Sequence, residues 1–387
     1  MTALPPQART GSVQHVVEAE LRPDDHRGSP LPTFAMIATR FMELRKRRGL
    51  MIALIAVNIG IPGVFLAIRL LAHAIAPHSY GPAGGYSVFS GLVVGILFGF
   101  GFIVAATLGC SAGAVDLTEG VFRHLVVTGR SRVALYLARI PAGLAIIVPL
   151  VAVGFTIVCS VCVFAAPAKL SYDGVNMPAG LSRSAFVSFA KSHPNQVYCD
   201  FPYRNLTSLG VPCGPNGNVG KITTPPGVTA PIPPSKAQFE ATVVKIANQD
   251  YTDYSKNFRT PPLSLMVEAG MWVELEAILG FFVGLGLASL MGQRTVPVVL
   301  MIVLEVILTP LLTREVIPHM INGQRGLVGL AMNHIEPSAL PHLSGLHGSG
   351  NGAGLLSEST TVAVCVIVGW LVVWTVLGAW RMATRDA

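Results

Sequence analysis

Six nearly unbroken apolar stretches, at residues 51–75, 89–112, 142–166, 265–290, 296–313 and 360–380, alternate with segments where charge, proline and glycine return. A helix needs about 20 apolar residues to cross a hydrocarbon core of about 30 Å, and every stretch but the fifth is at least that long. The fifth holds 18 residues with Glu305 and Pro310 inside, and is the marginal member. Lipid offers no partners to backbone N–H and C=O groups, so only helices or a closed barrel cross it, and runs this long point to helices. The pattern therefore predicts an all-α polytopic membrane protein with six transmembrane helices.

The polar segments divide the rest. Residues 1–32 are proline-rich and charged without periodicity and predict a disordered tail with no apolar signal peptide. Over 33–48, Phe34, Ile37, Phe41 and Leu44 recur at spacings of three and four, with Arg40, Glu43 and Arg47 on another face. That predicts an amphipathic helix lying along the membrane surface, closed by Arg45, Lys46, Arg47 and Arg48 against anionic lipid. Spans 1–3 then fill 49–166, interrupted by a polar segment at 113–132, and spans 4–6 fill 264–387 with a semi-apolar loop at 314–358. Between them, residues 167–263 lose apolar periodicity and read as a large soluble segment on the other side of the membrane. Gly91, Gly95 and Gly99 in span 2, and Gly280 and Gly284 in span 4, have the four-residue spacing that lets membrane helices approach closely.

Charge sets the orientation, because lysine and arginine flanks are retained on the cytoplasmic side. With both termini inside, cytoplasmic parts hold 15 of the 27 cationic residues, the short loops 76–88 and 314–358 hold none and two, and the long 167–263 segment, where the rule is weak, holds nine. The expected place is a plasma (inner) membrane. The net charge of +7 then lies largely against anionic lipid, which removes the main argument for a nucleic-acid partner. Only 12% of residues are charged and mean hydropathy is +0.58, which excludes a single soluble core.

Motifs for chemistry are sparse. The nearest approach to a phosphate loop, Gly214 to Lys221, has Pro215 where a glycine is required and Ile222 where serine or threonine is required. No serine–histidine–acid arrangement, HExxH or CxxC motif is found, so no intrinsic enzyme is expected. The spacing of His319, His334, His342 and His347 fits no metal site, and Cys159 with Cys162 reads as packing. Ionisable groups within spans are costly, about 2.5–3.5 kcal/mol each at the membrane centre. Arg69, Glu274, Glu276 and Glu305 are therefore the intramembrane candidates, either lining a polar path or pairing to fix helix register.

The polar segment after span 2 carries Asp116, Glu119, Phe122 and Arg123, followed by Gly129-Arg130-Ser131-Arg132. It reads as a short helix with acids near its N-terminal end, a Glu119–Arg123 pair and an apolar contact at Phe122. An arginine-terminated surface helix, then span 1, then this segment before span 3 resembles the membrane subunit of type-2 ABC exporters over roughly 33–166 and 264–381. The resemblance implies an elbow helix at 33–48 and a coupling helix containing Asp116, Glu119, Phe122 and Arg123. It also implies a homodimer and separate ABC ATPase subunits that carry ATP and Mg, with no cofactor on this chain. The 167–263 segment departs from minimal members and leaves open a second reading, a non-transporting receptor or assembly factor.

Cys199 and Cys213 are the only cysteines of the 167–263 segment, and a disulfide between them would close a short loop at a gain of roughly 3 kcal/mol. Nonreducing peptide mapping of membrane-extracted protein is expected to return the linked pair; two free thiols would sink the assignment.

Overall fold

The computed structural model describes residues 30–76, 80, 82–118, 131–172, 175–194, 236–304, 319–340 and 359–384. About 81% of these are helical, and among them the only strands form one hairpin, so they contain no barrel. Among the described residues, five helices are long and apolar enough to cross a membrane.

Helix α1 (Phe34–Lys46) is separated from the first span by Arg47, whose φ −77, ψ 75 leaves the helical region. Helix α2 (Arg48–Ile75) follows, then α3 (Tyr86–Asp116) and α4 (Arg132–Phe164). Each span is longer than its apolar run suggests, α4 most of all: it begins ten residues before residue 142. A hairpin of β1 (Leu170–Tyr172) and β2 (Val175–Met177), paired Leu170 to Met177, leads to α5 (Arg183–Ser192) and α6 (Lys236–Ser255). The fourth span is α7 (Leu263–Met291), followed by α8 (Thr295–Ile302), α9 (Ile321–Arg325), α10 (Val328–His334) and α11 (Thr360–Thr384). Helix α8 is the start of the expected fifth span; Glu305 and Pro310 lie outside the described residues.

Helix α7 is the centre of the bundle and packs on α3, α11, α4 and α8. In α7 and α3, 72% and 67% of the most apolar window is buried, against 22% in α2 and 17% in α11. The peripheral helices expose apolar side chains: Val64, Ile68 and Leu71 on α2, and Val364, Val368 and Val372 on α11, are 46–62% exposed. Such surface is a liability in water and the expected coat against hydrocarbon.

Lipid removes the hydrophobic drive for helices to associate, so close van der Waals fit must hold the centre. It is a glycine seam. A Cβ on Gly280 would strike the Phe102 backbone, one on Gly284 the Ala106 backbone, one on Gly109 the Phe281 carbonyl and one on Gly113 the Leu285 carbonyl. Gly280 and Gly284 thus meet their expected role, but their counterparts are Gly109 and Gly113. Gly91, Gly95 and Gly99 lie exposed, with nothing within 4 Å of an added Cβ. The seam carries Phe98 stacked on Trp272 at 3.9 Å, and Trp272 Nε1 donates to the Met332 carbonyl, tying α10 to α7. In α2, Pro62 has no N–H to give the Asn58 carbonyl; the helix widens to a π turn over Ala56–Gly60, and Gly154 of α4 packs against that carbonyl.

The 167–263 segment is more ordered than its sequence suggested. Phe239, Val243, Ala247 and Tyr254 form one buried stripe of α6, and they pack with Phe186, Ala190, Leu170 and Met177 into a core separate from that of the spans. The periodicity was hidden because the stripe is narrow and Lys245, Asn248 and Asp250 dilute it. Phe186 stacks on Tyr254 at 4.4 Å, whose hydroxyl donates to the Pro178 carbonyl at 2.7 Å. Burial of Tyr254 pushes its hydroxyl pKa up. Cys199 and Cys213 lie outside the described residues.

Gly284→Val is expected to cost about 1–3 kcal/mol by forcing α3 and α7 apart, read as a lower melting temperature in detergent. Gly91→Val, at an open position, should leave that temperature unchanged.

Candidate functional site: a buried charged joint

Asp116 ends the second span, where a negative charge opposes the helix dipole. It persists because two guanidiniums close on it. Arg40 of α1 binds it bidentately, Nη1 to Oδ1 at 2.7 Å and Nη2 to Oδ2 at 2.6 Å. Arg139 of α4 reaches the same Oδ2 with Nη2 at 2.5 Å and donates Nη1 to the Gly113 carbonyl at 2.8 Å. Glu43 completes the set, 2.7 Å from Arg40 Nη1, so two cations face two carboxylates. Relative exposures of 8% for Arg40, 2% for Asp116 and 1% for Arg139 make this a joint inside the protein. Burial works against the Arg40 charge, but Asp116 and Glu43 outweigh it and hold the guanidinium pKa above its ordinary value.

The joint ties three elements at one end of the bundle. Met36 packs with Ala134, Leu135 and Ala138 beside it. A step along α4, the Tyr136 ring lies against Gly378 and its hydroxyl reaches the Trp374 carbonyl at 3.4 Å, bringing in α11. Surface helix, second span, third span and last span therefore meet around the first turns of α4.

This placement revises several expectations. Asp116 does not head a separate short helix; it lies on the last turns of α3, and its carboxylate is buried in protein bonds. Glu119, Phe122 and Arg123, expected beside it, lie outside the described residues. On α1 the inward stripe is Met36, Arg40 and Leu44, so Arg40 leaves the polar face assigned to it. Phe34 is 84% exposed and Arg45, Lys46 and Arg48 are exposed, whereas Ile37, Phe41 and Arg47 are half-buried. Arg139 was not singled out at all. Its signal was available: it is the last charge before a run that holds no other up to residue 164.

The intramembrane groups are dispersed. Half-buried Arg69 donates to the Pro82 carbonyl at 2.7 Å, and among the described residues neither carboxyl oxygen of Glu274 has a hydrogen-bond partner. Glu276 is 1% exposed. Among the described residues, no group of three or more His, Cys, Asp or Glu side chains is placed to hold a metal ion.

No family model, curated protein or solved structure matches this chain. Its class therefore rests on its own geometry: an all-α membrane-embedded protein in which α1 and the second and third spans meet at a buried ion cluster.

Removing one partner of a buried pair leaves an uncompensated charge and costs about 3–5 kcal/mol, a cost that falls on Asp116 and not on half-buried Glu43, whose loss leaves Arg40 still held bidentately by Asp116. Asp116→Ala is thus expected to collapse the heat-resistant fraction in size-exclusion chromatography, with Glu43→Ala close to wild type. Equal behaviour of the two variants would show that the joint does not hold the bundle.

Proposed function

We propose that this chain is the permease subunit of an ATP-driven exporter, working as a homodimer of six-span subunits with separate ABC ATPase subunits. Both termini would face the cytoplasm, and the substrate would be amphipathic or hydrophobic. The single observation that carries the reading is the Arg40–Asp116–Arg139 joint, because of where it stands in the chain. Asp116 lies within residues 113–130, the segment expected to meet the ATPase, and Arg139 lies shortly after that segment.

The joint gives a physical route for coupling. A push on residues 119–130 enters α3 and α4 at their adjoining ends. Asp116 passes it to the surface helix through two short hydrogen bonds, and the Gly109/Gly113 against Gly280/Gly284 seam passes it to α7 without a compressible side chain between backbones. Closure of the ATPase pair on ATP and Mg would thus move a rigid group of helices rather than bend one. ATP hydrolysis belongs to the partner; the chain offers no phosphate loop for it.

A second reading, a receptor or assembly factor that does not transport, is favoured by one observation. Helices α5 and α6 with the hairpin hold their own apolar core, sufficient to present a shaped surface to a partner on that side.

Copurification from the native host in mild detergent separates the two. A stoichiometric ATPase is expected, lost when Phe122 and Arg123 are both changed to Ala while elution of the membrane protein stays unchanged. An extracytoplasmic partner with no nucleotide hydrolysis would overturn the permease reading.

A further inference from the structure

Glu274 is the one intramembrane carboxyl whose two oxygens are both withdrawn from solvent and without a hydrogen-bond partner among the described residues. It stands eleven residues into α7, roughly 16 Å along the helix from Leu263 and roughly 26 Å from Met291. That is deep within a hydrocarbon core of about 30 Å.

Its surroundings follow from helical spacing. Gly270, four residues before it, packs on the Phe155 ring of α4, and Phe281, seven residues after it, fills the place of a Cβ on Gly143 of α4. Glu274 therefore lies on the α4-facing side of α7, between two aromatic contacts. Helix α4 has no ionisable side chain between Arg139 and Cys159, α3 has none between Tyr86 and Cys110, α11 has none between Cys365 and Arg381, and α8 has none. On α7 itself the flanking ionisable groups are Glu268 and Glu276, both acids, which add no compensating charge.

Among the described residues this carboxyl, on a half-buried side chain whose two oxygens are withdrawn from water, has gained no cation; an unpaired charge in such a place is neutralised rather than endured. We infer that Glu274 is a proton-binding site of the membrane domain: it carries its proton in the α4–α7 contact seen here, and can release it only when those helices part and water or a cation reaches the carboxyl. The site takes a proton, and no metal or organic ligand is required. The inference does not depend on the permease reading, because it concerns the protonation of one carboxyl and not the presence of an ATPase.

The test uses the full chain in lipid nanodiscs at neutral pH, without any partner. Infrared difference spectra between wild type and Glu274→Gln, a variant of nearly the same shape, report the protonation state directly. The expected result is loss of a protonated carboxyl band in the variant, accompanied by adduct formation at Glu274 with the apolar reagent dicyclohexylcarbodiimide. In that adduct the carboxyl O–H adds across one N=C bond with no leaving group. Loss of an ionised carboxylate band instead would overturn the proposal and would mean that a cation from a second subunit, or from residues 305–318, completes the site.

Discussion

The inner architecture of this protein depends on one carboxylate. Asp116 sits at the end of a span where the helix dipole disfavours it, and it is withdrawn from water. Only the convergence of two guanidiniums from other elements makes that position tolerable. Because neither arginine can leave without stranding a buried charge, the surface helix, the second span and the third span behave as one piece. An apolar contact of the same area would hold them together but would let them slide. Directional, bidentate bonds fix both distance and register.

Farther into the membrane, a different device takes over. Charge is too costly there to serve as glue, and hydrophobicity does not distinguish a neighbouring helix from a lipid chain. The α3–α7 seam answers with absence of side chain: four glycines, two on each helix, let backbones touch. Large side chains then lock the register at the flanks, Phe98 on Trp272 toward one end and Phe281 against Gly143 along α4. The same logic marks Glu274 as an exception, since among the described residues its carboxyl oxygens have no hydrogen-bond partner.

Much of the fold was legible along the chain, because the length of an apolar run and its charged borders are local properties. Five spans and the helix expected at 33–48 stand where the pattern put them, within a few residues apart from the early start of α4. What escaped was any feature created by a neighbour. Arg40 looked like one more cation on a polar face, and only the arrival of Asp116 turns that face inward. Gly91, Gly95 and Gly99 carry the same spacing as the true seam, yet spacing says nothing about which face a second helix covers. The α6 stripe of Phe239, Val243, Ala247 and Tyr254 was invisible for a related reason: its few apolar positions become a core only when Phe186 and the hairpin lie across them.

The division follows from the physics of the two solvents. Sequence alone determined that the chain carries helices long and apolar enough to enter a membrane, and roughly where they run. Those outcomes depend on transfer free energies that add up residue by residue. Tertiary structure alone decided which charges are paired, which glycines are contacts and which carboxyl is left alone. Each of these is a relation between residues far apart in the chain, and its energy exists only when both sides are present at a few ångströms.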